Sequence, residues 1–176
     1  MPAPRSAIRT AEPRDLNAIV QLISELAEFE NLTHLLEVTP DRLAPHLFGD
    51  APAAECLVGE ADGEVVAFAL FYKNFSTFLS KPGLYLEDLY VRPAHRRSGL
   101  GRALIVELAR LACERGYGRF DWTVLDWNED AIHFYEKLGA EVLPDWRICR
   151  LAGDALQRYA DGERPSMWSP SVWLGL

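Results

Sequence analysis

Two adjacent carboxylates, Glu87 and Asp88, interrupt an otherwise apolar run over residues 84–91. A carboxylate placed beside a bound substrate can move a proton. Just beyond it the chain turns basic, at Arg92, Arg96 and Arg97, and then steps through Gly99 and Gly101 into what reads as a helix. A strand feeding a glycine-rich turn at a helix start is an anion-binding device. The first-turn N–H groups lack intrahelical partners, glycine lets a phosphate approach the backbone, and arginines add charge. Residues 84–101 therefore set a phosphate site beside a proton acceptor. The pattern is no dinucleotide fingerprint, because Leu104 stands where the third glycine would be, and no Gly-Lys-Ser/Thr follows to make a P-loop.

The elements that must position these residues fit one domain. The chain has 176 residues, 49% of them hydrophobic and 25% charged, which suits a soluble globular protein with a substantial core. No apolar run reaches the roughly 18 residues of a membrane span, and the first ten residues lack the apolar segment of a signal peptide. Cys56, Cys113 and Cys149 are far apart and form no C-x-x-C pair. Reduced thiols in a cytoplasmic protein are expected, with no disulfide framework and no metal site. A net charge of -8 argues against nucleic acid as a partner and would suit a cationic substrate, though taken alone it reads first as solubility.

Residues 7–10 read as a first strand. Leu16, Ile19, Val20, Ile23, Leu26 and Ala27 follow helical spacing after Pro13, with an end near Glu30 and Asn31. Thr39 is expected to cap a second helix with Pro40 at its first position, stopping by Gly49. Strands over 54–61 and 65–74 are joined by Asp62-Gly63, a hairpin signal. A loop over 75–82 leads to the strand at 84–91. The helix from Gly99 to Arg115 carries Leu100, Leu104, Leu108 and Leu111 on one face and ends at Gly116. A strand over 119–124, a helix over 129–138 closed by Gly139, and a last strand pair between 140 and 151 complete the order. The expected fold is an α/β (α+β) domain over residues 1–151, a mixed, mostly antiparallel sheet flanked by helices. Residues 152–176, with Trp168 and Trp173, are expected as a C-terminal helix or tail packing on the domain or on a dimer partner.

One set of motifs is more specific. Arg96-x-x-Gly99-x-Gly101 after a strand, then Trp127-Asn128, then Phe134-Tyr135-x-x-x-Gly139-Ala140, resembles the GNAT superfamily of N-acetyltransferases. The runs YLEDLYV, VLDWN and LAEFE resemble its diamine (spermidine/spermine) and thialysine branch. The resemblance implies an acetyl-CoA site. Its pyrophosphate would lie on Arg96, Arg97, Ser98, Gly99, Leu100, Gly101 and Arg102, and its pantetheine along Leu89, Tyr90 and Val91. Further contacts would come from Asn128, Ala131 and Tyr135. Arg97 replaces the glycine common after the first arginine. The resemblance also implies a homodimer.

Acetyl transfer from a thioester to an amine needs two proton movements. An ammonium, with a pKa of about 10.4, must lose a proton before attack, and the departing thiolate must gain one. Successive strand residues point to opposite faces, so Glu87 and Asp88 are not expected to share the cleft. The branch resemblance selects Glu87 as base, through a water chain, and leaves Asp88 to a structural partner such as an arginine or a helix start. Glu87 as a purely orienting carboxylate is the alternative. Tyr135 is the implied acid, although its spacing from Ile132 and Leu138 also fits a core aromatic. For the amine the resemblance points to Phe29, Glu30, Glu87, Asp126 and Trp127, by charge and by cation–π attraction. The expected activity is acetyl-CoA-dependent N-acetylation of a small primary amine: a diamine, a polyamine or a lysine analogue. The alternatives are acetylation of protein lysines or an antibiotic amine, and a non-catalytic acyl-CoA sensor. The loop over 74–82 lacks the carboxylate and tryptophan of polyamine-acetylating relatives.

Overall fold

Residues 6–162 are described by the structure, a computed structural model. Their order is β1 (Ser6–Thr10), α1 (Leu16–Phe29), α2 (Pro40–Phe48), β2 (Glu55–Ala61), β3 (Glu64–Ser76), β4 (Lys81–Val91), α3 (Leu100–Glu114), β5 (Phe120–Trp122), α4 (Glu129–Lys137) and α5 (Gly153–Ala160). Five strands form one sheet in the order β1-β2-β3-β4-β5, antiparallel except for the parallel β4–β5 pair. The α/β class expected from sequence is therefore the one found.

Local chemistry accounts for most boundaries. Thr39 accepts the Arg42 N–H at 3.3 Å and starts α2 with Pro40 behind it. Asp62 and Gly63 turn the β2–β3 hairpin at φ 51° and 86°, the left-handed pair that a two-residue connection requires. Side chains alternate across the sheet. Val58 joins Ile19, Leu22, Leu26, Phe68 and Tyr90 in the core beneath α1, while the next residue, Gly59, faces Leu100 of α3. Helices thus cover both faces.

The β3–β4 hairpin is longer than expected, running to Ser76 and resuming at Lys81, so the loop over 75–82 shrinks to 77–80. Gly83 lies where a Cβ would come within 2.3 Å of the buried, unpartnered Asn74 Oδ1 and 3.2 Å of the Arg119 carbonyl oxygen. Gly83→Ala is accordingly expected to destabilise by about 1–3 kcal/mol, read as a lower urea midpoint.

By its contacts the chain divides into two compact units, one ending at Leu125 and the other beginning at Asp126. The second unit corrects one expectation. Residues 140–151 form no strand, although Trp146, Arg147, Ile148 and Arg150 alternate suitably. A strand needs a partner edge, the described part of this unit contains only helices, and Pro144 cannot donate to a ladder. Trp168 and Trp173 lie outside the described residues.

Candidate active site

The site is set by an irregularity in β4. Across the β3–β4 ladder Phe71 pairs with Leu86 and Leu70 with Asp88, so Glu87 is an extra residue opposite nothing. This is a β-bulge, and it inverts the phase of the strand. Before it, Leu86 lies opposite Phe71, whose ring meets Arg115 at the end of α3. After it, Asp88 and Tyr90 lie opposite Leu70 and Phe68, on the face covered by α1. Strict alternation therefore fails where it was used to separate the two carboxylates. The charge of Glu87 acts on Asp88 and on the Tyr72 phenol of β3 alike, so Glu87 and Asp88 share one neighbourhood. Two adjacent charged residues inside an apolar strand were the available signal for a bulge.

Burial separates the pair. Glu87 is exposed and Asp88 partly buried. Burial, then the charges of Glu87 and Glu30, push the Asp88 carboxyl up to about 6 from its ordinary 3.8. Burial also raises Glu30, just past the end of α1. Burial, then Glu87 and Tyr85, raises Tyr72, whose ring lies 5.2 Å from that of Tyr85. The arginine or helix start expected to partner Asp88 is not there: no ion pair or hydrogen bond to its carboxylate is formed among the described residues. Other partly buried carboxylates are held by arginines, Asp15 and Glu60 by Arg9, and Glu25 by Arg92 at 3.0 Å, whereas Glu30 has no such ion pair among the described residues.

On its other side β4 loses its neighbour just before the bulge. β5 pairs with β4 only at residues 84–86. Among the described residues no strand occupies that edge over 87–91, so Leu89, Tyr90 and Val91 can accept an extended ligand as an added strand. Beyond Val91 the loop into α3 holds Arg97 at φ 62° and Gly99 at φ 94°, and no side chain caps the helix. Open space surrounds Gly99, with nothing within 4 Å of where a Cβ would sit. Backbone N–H groups exposed this way, with Arg97, Ser98, Gly101 and Arg102 alongside, can hold an anion. Leu100 is buried and anchors the helix to the sheet. Arg96 does something else with its side chain. Its Nε donates to the Val91 carbonyl at 3.1 Å, and its guanidinium lies 4.9 Å from the Phe29 ring centroid and 5.7 Å from that of Tyr90. It joins the loop to the end of α1.

The remaining candidates belong to the second unit. Asn128 accepts the Ala131 N–H at 3.3 Å and caps α4, so these two satisfy each other. Asp126 and Trp127 are exposed just before that cap. Tyr135 is partly buried, its ring centroid 5.2 Å from that of Phe134. No group of three or more His, Cys, Asp or Glu side chains among the described residues is placed to hold a metal ion.

A mixed sheet whose fourth strand is bulged and open-edged, followed by a loop and helix start able to hold an anion, is compatible with transfer from a phosphate-bearing donor, and the class follows from the family match. The chain belongs to the acetyltransferase (GNAT) family, whose sequence model matches residues 17–140. It is an N-acetyltransferase, and the donor used by its family is acetyl-CoA. It is 36% identical to an L-ornithine N5-acetyltransferase of Arabidopsis thaliana, over 86% of this chain and 86% of that one. It is 38% identical to a thialysine N-epsilon-acetyltransferase of Mus musculus, over 87% of this chain and 96% of the other. Among solved structures, an integron cassette protein from the mobile metagenome of V. cholerae shares the fold, with a TM-score of 0.74 at 23% identity over 88% of this chain and 97% of that chain.

Proposed function

We propose that the protein transfers the acetyl group of acetyl-CoA to the primary amine of a small cationic molecule, a diamine, a polyamine or an amino acid of the lysine or ornithine kind. One observation carries this reading most: the bulge in β4 presents two carboxylates where the open edge of the strand begins. The names of the relatives and the net charge of -8 support it. The donor's pyrophosphate would rest on the N–H groups and charges of residues 96–102, with its pantetheine along Leu89, Tyr90 and Val91 and further contacts from Asn128 and Ala131. Phe29, Glu30, Asp126 and Trp127 would hold the amine. A carboxylate of the β4 pair takes the ammonium proton, the freed nitrogen attacks the thioester carbonyl carbon, and the carbon–sulfur bond breaks. Tyr135 returns a proton to the departing sulfur. We place the enzyme in the cytoplasm as a homodimer over a catalytic domain of residues 1–151. The exposure of Trp146 at 76% and Ile148 at 68% supports a covered interface.

The deciding assay is release of free thiol from acetyl-CoA with ornithine, lysine, thialysine, putrescine, spermidine and a histone-tail peptide. Turnover on a small amine supports the reading, turnover on the peptide alone replaces it with protein acetylation, and binding of acetyl-CoA without turnover on any amine leaves a sensor. Arg97 offers a test of the donor side. Its left-handed backbone is strained for an arginine, whereas glycine adopts it freely. Arg97→Gly is therefore expected to leave thermal stability unchanged or slightly higher while raising KM for acetyl-CoA several-fold, less so at high salt.

A further inference from the structure

We propose that Arg96 is a positioning residue for the donor: its side chain ties the open edge of β4 to the last turn of α1, and so fixes the backbone groups that receive the extended arm of coenzyme A. This role rests on the acetyl-CoA reading above and deepens it.

The hydrogen bonds on either side of the bulge show which groups that edge offers. The Leu84 N–H donates to the Arg119 carbonyl at 3.0 Å, so residue 84 and, by alternation, residue 86 turn toward β5. The extra residue at 87 shifts the phase by one. The Arg92 N–H donates to the Val66 carbonyl at 3.0 Å, so Arg92 and Tyr90 turn their backbone groups toward β3. Leu89 and Val91 are left facing the edge that β5 does not reach. Arg96 engages one of these groups already, its Nε donating to the Val91 carbonyl at 3.1 Å. An added strand of ligand is therefore offered Leu89 and the Val91 N–H, with Arg96 standing at its end.

The rest of the side chain is held by α1. The guanidinium carbon lies 4.9 Å from the Phe29 ring centroid and 5.7 Å from that of Tyr90. One turn earlier on the same face of α1, Glu25 accepts from Arg92, Nε at 3.1 Å and Nη2 at 3.0 Å. Two arginines of the basic run thus reach back to positions 25 and 29 of one helix. Contacts to the donor's phosphates fall instead to the N–H groups of the loop before α3, with Arg97 and Arg102 alongside. A guanidinium can donate from its edge while its face meets a ring, which a single ammonium cannot do. That difference separates a positioning role from a simple phosphate contact.

Calorimetric titration of the full chain with coenzyme A tests the role and needs no amine. Arg96→Gln should weaken binding about tenfold. Arg96→Lys keeps the charge but not the planar fork, and should lose nearly as much, by a factor that is the same at about 0.05 and about 0.5 M salt. Phe29→Leu should weaken binding several-fold in the wild type and add nothing in Arg96→Gln, because the two side chains act as one contact. Melting temperatures within about 3 °C of the wild type would show that the variants fold. Arg96→Lys binding as tightly as the wild type, or a loss that salt removes, would make Arg96 a phosphate contact and overturn the proposal. Additive losses in the double variant would detach Arg96 from α1, and unchanged affinity with a lowered melting temperature would make it purely structural; each overturns it too. A wild type that binds coenzyme A but acetylates no amine would overturn the acetyltransfer reading alone, whereas one that fails to bind coenzyme A would remove both.

Discussion

Turnover of the Tyr135→Phe variant should fall by about 10²–10⁴-fold while its affinity for coenzyme A stays within about twofold. The substitution keeps the ring that packs beside Phe134 in α4 and removes only the hydroxyl. What it removes is the proposed donor to the leaving sulfur. A thiol with an ordinary pKa of about 8.5 is mostly protonated at neutral pH, so the departing thiolate takes up a proton as it is released. Steady-state thiol release should therefore show a loss in kcat rather than KM. Acyl donors with more acidic leaving thiols should recover part of it. Equal turnover in the two proteins would remove Tyr135 from the chemistry.

The second large effect concerns stability. Arg9 donates from Nη1 to the Asp15 carboxylate at 2.6 Å, from Nη2 at 2.9 Å, and from Nε to Glu60 at 2.9 Å. It ties β1 and β2 to the start of α1. Asp15 is only 5% exposed and also accepts the Glu12 N–H at 2.8 Å. Arg9→Met should cost about 3–5 kcal/mol at neutral pH, because a buried carboxylate is left without its counter-charge. The pH dependence has a definite sign. Arg9 holds the Asp15 carboxyl below its ordinary 3.8, so the stability of the pair is fully present above that value and is lost as the pH falls below it. Denaturant unfolding at a series of pH values should show the gap between variant and wild type narrowing on acidification. A gap that stays constant would mean that the loss comes from packing of the arginine stem instead.

Where a boundary is decided by a residue and its near neighbours, it could be read from the chain. Thr39 with Pro40, Asp62 with Gly63, and the glycines that follow α3 and α4 all act within a few residues, and α1 and α3 carry regular apolar stripes. What escaped reading depends on partners remote in sequence. The bulge at Glu87 exists only in register with Leu70 and Phe71, and that register decides which way Asp88 points. The Arg9 network links positions 51 residues apart. The segment over 140–151 has the composition of a strand without a neighbour to pair with, which no local pattern can reveal. The loop before α3 was legible as a loop, but Arg96 turning toward Phe29 depends on where α1 ends.

The strand order has a kinetic corollary. Each of β1 to β4 lies beside its successor apart from the α1–α2 excursion between β1 and β2, so β2, β3 and β4 can zip together through two tight hairpins with little loop-closure entropy. β5 must wait for α3 to close a much longer crossover, and it is then retained by only three residue pairs. The seam between β4 and β5 is thus the last part of the sheet to form and the first to fray. Amide exchange should be slowest between β2 and β3 and fastest at that seam. The edge proposed to receive pantetheine begins where this seam ends, so donor binding would clamp the least cooperative margin of the sheet.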